Sequence, residues 1–308
     1  MKILFKFSYF WIVAILFTSC NAQQKPDKEF DVSVKTQTYI SNHPKVLFDE
    51  GHNNMHTLKG TYSPFVNLIM NDGYIVQKNP SAFSKRSLEE FSILVISNAK
   101  GGKRNFKYKP AFTDTECKVV KEWILQGGSL LLIADHYPLG SAANNLSSQF
   151  GVHMYNGEVY DSIFFVGDST FRDKLVFSRE NSLLQDNEIT NGKNSNESIT
   201  KVVSDRGQSL SIPDSAIVLL RLSKHSYHIL PDSIWDIGKT TYTRFTDPSP
   251  AYGNCQGLAI KAGKGRVVIL GEAAMLTAQQ YKGGKFGMNT PGNDNKQFAL
   301  NIMHWLSK

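Results

Sequence analysis

Cysteine is scarce in this 308-residue chain: the three present, at positions 20, 117 and 255, are too few for a disulfide framework. Charge of one sign is scarce too. Lys+Arg 34 against Asp+Glu 27 leaves +7, and no run of ~5–6 basic residues gathers it, so nucleic acid is not an expected partner. The chain shows no internal repeat and no low-complexity block. It also lacks a GxSxG elbow, an HExxH helix, a Walker loop and an EF-hand loop, so no spelled-out motif declares a reaction. The apolar run Tyr9–Phe17 is too short to cross a hydrocarbon core of roughly 30 Å. What remains is ordinary globular composition: 41% hydrophobic, 20% charged and 11% aromatic residues. That excludes disordered, collagen-like and disulfide-scaffold chains. A chain of this length can bury a sizeable core as one large domain or two small ones.

The beginning of the chain reads as a targeting segment. Lys2 and Lys6 form a short positive region ahead of the apolar run, and Thr18-Ser19-Cys20 follows it. Small residues directly before a cysteine resemble the bacterial lipobox, although Phe17 stands where an aliphatic residue is usual. The resemblance implies a lipoprotein signal over residues 1–19 and acylation of Cys20, which would then be the first mature residue. More than one acyl chain anchors a protein stably to a membrane. The expected location is the bacterial cell envelope, on the periplasmic or surface face of the outer membrane. Loss of Lys2 and Lys6 lowers the formal charge from +7 to +5. The polar residues that follow predict a flexible tether over 20–43. Cys117 and Cys255 are left as two free thiols or one bridge.

Residues 44–308 alternate between strand-like and helix-like patterns. The strands predicted are KVLFD from Lys45, Tyr74–Gln77, Phe91–Ser97 and Ser129–Ala134. A helix fits Thr61–Asp72, with Pro64 early and Gly73 as its stop. Another fits Thr113–Gln126, where Thr113 and Glu116 spell a capping box and Gly127-Gly128 ends it. Ser141–Phe150 opens a further helix, and Asn295–Leu306 carries Phe298, Ile302 and Trp305 at helical spacing. Between Gly151 and Thr246 shorter strands predict antiparallel additions. Gly257–Ile269 reads as a hairpin turning at Gly263–Gly265. The fold class expected is α/β: a doubly wound, mostly parallel sheet with antiparallel additions.

The succession FDEGHN, FSILVISNAKG, VKEWILQGGSLLLIADH, GRVVILGEAAM and NDNKQFALNIMHWL resembles the class I glutamine-amidotransferase-like superfamily. Within it the chain is most similar to bacterial branches near the trehalose-utilisation-type and gliding-motility transporter-auxiliary proteins. The resemblance implies a flavodoxin-like three-layer sandwich over Lys45–Lys308. It does not carry glutaminase activity. Members with that activity hold a nucleophilic cysteine on a Gly-x-Cys-x-Gly elbow, whereas the strand ends here offer Asn98 or Asp135-His136.

In open parallel sheets ligands bind outside the carboxyl ends of the strands. There the sequence places Asp49, Glu50, His52 and His56 after the first strand, Asp135 and His136 after the fourth, and Glu272 after the last. Asp135, His136, Glu272 and Glu50 are the candidate acid–base residues. Asp49, His52 and His56 are candidate ligands for a divalent ion such as Zn²⁺. Asn98, Ser141, Asn289 and Asp294 are candidate substrate contacts. Trp235, Tyr242 and Tyr252 are available for an aromatic wall. Lys100-Gly101-Gly102-Lys103-Arg104 reads as an anion loop or a solvated one. Tyr281–Asn293 reads as a lid. Acids and imidazoles at strand ends favour a hydrolase acting on a carbohydrate-like or other polar small substrate. The alternatives are a non-catalytic binding or accessory protein of an envelope transport or glycan-uptake complex, and a structural partner.

Overall fold

A computed structural model describes residues 24–100, 110–167, 174–237 and 240–308, with the side chains of 234–242 left out. Cys20, the signal segment and Gly101–Arg104 lie outside the described residues. So do the side chains of Trp235 and Tyr242.

Short apolar runs bounded by polar residues build the central sheet. Its strands are β1 (Lys45–Asp49), β2 (Ile75–Asn79), β3 (Ile93–Ser97), β4 (Ser129–Ile133), β5 (Ala216–Arg221), β6 (Cys255–Ala262) and β7 (Gly265–Leu270). They lie side by side in the order β5-β6-β7-β4-β3-β1-β2. The β1–β2, β1–β3, β3–β4 and β4–β7 pairs are parallel. The β6–β7 hairpin and the β5–β6 pair are antiparallel. β3 and β4 are buried along their whole length, the pattern of strands covered on both faces.

Helices α1 (Ser63–Asn71), α2 (Asp114–Leu125), α3 (Leu139–Ser147) and α4 (Asn295–Leu306) supply that cover. Alternate residues divide the sheet between two cores, because strand side chains point to opposite faces. Val46, Phe48, Val95, Leu131 and Val268 pack with Phe65, Leu68, Phe298 and Trp305 of α1 and α4. Leu47, Leu94, Leu130, Leu132 and Val267 pack with Val120 and Ile124 of α2 and Leu146 of α3. The capping box of α2 is present as the sequence predicts, and the bounds of α4 agree with it. Helix α3 begins two residues earlier than expected, directly after Pro138.

Four smaller antiparallel sheets surround this core among the described residues. One of them corrects two expectations. Lys25–Pro26 pairs with Ala278–Tyr281, which pairs in turn with Gly284–Gly287. The predicted lid therefore begins as a strand hairpin. Over residues 24–43 the predicted tether is instead a strap laid on the domain. Phe30, Val32, Val34 and Tyr39 pack against the core, and Asp72 Oδ1 accepts from the Thr38 amide at 2.8 Å. Cys117 and Cys255 are both buried free thiols, so no bridge joins them. Burial pushes their thiols up to about 11 and about 12, keeping both protonated at neutral pH.

Candidate functional site

From β1 the chain steps to β2 on one side, then returns to lay β3 on the other side of β1. Such a reversal opens a crevice at the carboxyl ends of the flanking strands. A cavity of about 630 Å³ lies there, lined by His56, Asn98, Lys100, Asp135, His136, Tyr137, Asp205, Arg206, Glu272 and Gln279, among others. Five sequence candidates from separate strand ends thus share it: His56, Asn98, Asp135, His136 and Glu272.

Asn98 follows β3 in the left-handed region, at φ +48°. That sharp turn ends β3 and sets the buried Asn98 carboxamide against the end of β4. Its Oδ1 accepts from the Asp135 amide at 2.9 Å, while its Nδ2, buried, has no partner. The Oε1 of Gln279, another lining residue, is also buried without a partner. Buried polar atoms are almost always paired, so two orphans among the lining residues mark places for ligand atoms.

His56 is buried, stacked on Tyr62 at 4.7 Å between ring centres, with Nδ1 2.8 Å from Ser97 Oγ. Burial pushes its imidazole down to about 3, so it is neutral. His136 differs. Its Nδ1 lies 3.1 Å from the Tyr137 carbonyl, which can only accept, so that nitrogen carries the hydrogen. Nε2 faces Asp135 Oδ1 at 3.9 Å. A bridging water or substrate atom fits that separation.

Three carboxyls converge here. Burial pushes Glu272 well above the usual carboxylate range, and the charges of Asp135 and Asp205 add to this. Burial likewise raises Asp135 and Asp205, despite the opposing charges of His136 and Lys174 respectively. Like charges that cannot all ionise together retain a proton among themselves. Glu272 also holds the local backbone in place, since its carboxylate accepts from the Ala274 amide and, at 2.7 Å, from the Met275 amide. Beside the acids, Arg206 pairs with Glu158 at 2.7 Å, and Glu158 reaches to 3.8 Å from His136 Nδ1.

The other candidates lie elsewhere. His52 Nδ1 is 2.9 Å from Asp49 and its Nε2 2.8 Å from Glu116, so neither nitrogen is open to a metal. His56 stands apart on Tyr62. Asp49, His52 and His56 are therefore not a ligand set, and among the described residues no group of His, Cys, Asp or Glu is placed to hold a metal ion. Glu50 accepts from the Leu58 amide at 2.8 Å and pairs with Lys78, outside the cavity. The Ser141 amide donates to Asn156 at 2.9 Å and is not free for a ligand. Asn289 donates to Asp27, and Asp294 accepts from Thr200 and Lys201 beside a different cavity. Tyr252 is exposed and is not among the residues lining the cavity.

Sequence reasoning missed Asp205, Arg206, Glu158 and Gln279. The first two sit on the segment Asp205-Arg206-Gly207-Gln208, which passes over the end of β7. Gly207 was the available signal. With φ +71°, its position leaves no room for a Cβ, which would lie 2.4 Å from the Gly271 carbonyl. Gln208 Nε2 donates to the Ala134 and Asp135 carbonyls at 2.8 and 2.9 Å, binding this segment to the end of β4.

No family model matches the chain, and no curated protein matches it. Solved structures do. The N-terminal domain of mmIFT52 aligns with a TM-score of 0.59 at 14% identity, over 86% of this chain and 97% of that one. A ThuA-like protein from Bacteroides uniformis aligns with a TM-score of 0.40 at 12% identity, over 86% of this chain and 93% of that one. A GMP synthase component from Thermoplasma acidophilum gives 0.42 at 12% identity, over 86% of this chain and 94% of that one. At 14% identity the likeness to the first of these is one of fold.

Proposed function

We propose that the chain is an envelope lipoprotein whose carboxyl-end cavity hydrolyses a polar, hydroxyl-rich small substrate. One observation carries the reading: three carboxyls of raised proton affinity share a cavity with an imidazole whose Nε2 faces one of them, Asp135, at 3.9 Å. A general acid and a general base are thereby available side by side. His136 Nε2 accepts a proton from water as it attacks. Asp135 or Glu272, still protonated, gives one to the leaving oxygen. Asn98 Nδ2 and Gln279 Oε1 hold the substrate's acceptor and donor atoms; a hydroxyl satisfies either.

The sheet order and the reversal between β1 and β3 support placing the chain in the glutamine-amidotransferase-like superfamily, as a flavodoxin-like three-layer member. A carboxamide, Asn98, at the end of β3 and the burial of both Cys117 and Cys255 argue against thioester chemistry in it. Acylation at Cys20 is the remaining part of the reading. Mass spectrometry of the membrane fraction checks it, the expected species beginning at a diacylated Cys20.

The catalytic part is tested with purified protein and a panel of 4-nitrophenyl glycosides, alongside thermal shift with free mono- and disaccharides. Turnover of at least one glycoside is expected, lost in His136→Ala and in Asp135→Asn. The second reading, a binding protein, rests on the two orphaned amides and would take its place if a sugar shifts Tm without any turnover. If neither assay responds to the panel, the hydroxyl-rich ligand is wrong.

A further inference from the structure

The cavity and the start of the described chain meet at one place. Gln24 lines the cavity mouth, and the next two residues are already a strand on the cavity's outer wall. In that three-stranded wall, Pro26 faces Gln279 and Gln279 faces Phe286, and both Gln279 and Phe286 line the cavity. The register puts Lys25 opposite Gln280 and Gln280 opposite Lys285, the alternate row, which is exposed. Residues directly opposite across a pair share a face. Lys28, just past the strand, and Lys282, in the hairpin turn, are exposed as well. The acids near this row are Asp27, buried and 3.6 Å from Lys285, and the exposed Glu29. Asp27 fixes the strand, since Gln280 and Asn289 both donate to it, at 2.8 and 2.9 Å.

We propose that the mouth of the cavity is held against the membrane, with the lysine row of this wall lying on anionic lipid headgroups. The proposal rests on acylation at Cys20. Only four peptide links separate Cys20 from Gln24, and a fully extended chain covers at most about 3.6 Å per residue, roughly 14 Å in all. The strap cannot lengthen that reach, because its next residues are paired into the wall and packed on the core. An acylated Cys20 therefore fixes which end of the domain faces the lipid. The lysine row adds the matching charge, since a basic residue near an anionic surface strengthens binding about fivefold. The substrate of the cavity is accordingly one met at the bilayer surface.

The test uses the acylated full-length protein in vesicles of phosphatidylethanolamine and phosphatidylglycerol carrying an energy-acceptor lipid. A fluorophore goes on Lys282→Cys in one sample and on Lys264→Cys in another. Lys264 sits in the β6–β7 turn, at the end of the sheet opposite the carboxyl-end cavity, and the native Cys117 and Cys255 are buried from the reagent. Transfer from position 282 is expected to exceed that from 264 severalfold. Equal transfer, or stronger transfer from 264, on vesicle-bound protein overturns the orientation and leaves the acylation intact. Protein that fails to float with vesicles and lacks acyl mass overturns the acylation reading, and the inference with it. A second arm measures the unacylated protein on the same vesicles. Lys25→Gln, Lys28→Gln and Lys285→Gln together should weaken its binding at least tenfold, and unchanged binding removes the lysine row from the contact.

Discussion

His52 is held between two carboxylates inside the domain. Burial alone would lower its imidazole, but hydrogen bonds to Asp49 and Glu116 outweigh this and hold it above its ordinary value. Glu116 serves four donors at once: His52, the Phe83 amide, and the amide and hydroxyl of Thr113. Removing the imidazole leaves two buried acids facing each other. His52→Ala should cost about 3–5 kcal/mol in chemical denaturation, the penalty for stranding buried charge. The cavity acids behave in the opposite sense. Asp135 holds its proton above the unfolded value of 3.8, so its contribution to stability is complete below that pH and is lost as pH rises. Asp135→Asn should therefore raise Tm at pH 8 and change it little near pH 4. A residue that stabilises by being removed is one retained for its chemistry.

At the scale of elements, the segment over the end of β7 is the tightest joint. Gly207→Ala places a methyl against the Gly271 carbonyl and the Glu272 side chain in a backbone conformation that alanine avoids. About 1–3 kcal/mol is expected in the same denaturation experiment, with the cavity acids displaced. Regular elements were legible in the sequence wherever local chemistry decides them. The capping box names the start of α2, and the apolar runs ending in Asp49, Asn98, Asp135 and Glu272 name the strand ends. Those ends sufficed to gather His56, Asn98, Asp135, His136 and Glu272. The arrival of Asp205, Arg206 and Glu158 was not legible, because long-range pairing of antiparallel additions places them. The strap carried a signal that its polar composition hid: Phe30, Val32 and Val34 alternate at the spacing of a half-buried extended chain. His52 looked like a ligand for a related reason. A histidine flanked by acids reads the same whether it holds a metal or a proton.

The whole molecule combines these groups into one pH profile. His52 contributes fully below its ordinary 6.5 and loses its contribution as pH rises through its raised folded value. Asp135, Asp205 and Glu272 likewise favour the folded state less as pH rises. Glu116 and Glu188, each held down to about 2, contribute fully above 4.5 and lose their contribution as pH falls toward about 2. His56 and His228, both lowered by burial, count against the folded state as pH falls below 6.5, so Tm should peak near the unfolded histidine value, at about pH 6–7, and decline on both sides. A calorimetric series from pH 3 to 9 checks this; a maximum above pH 8 would contradict the assignment.

The strap also sets the order in which the domain can assemble. Lys25 and Pro26 find their strand partners at Gln280 and Gln279, about 250 residues further along the chain. Closing so long a loop is entropically disfavoured until the sheet between has collapsed, and contacts of this separation form late. Residues made early are thus tied in late. Until the end of the chain is in place, the cavity has no outer wall, and a half-made molecule can neither enclose a ligand nor present a finished face to lipid.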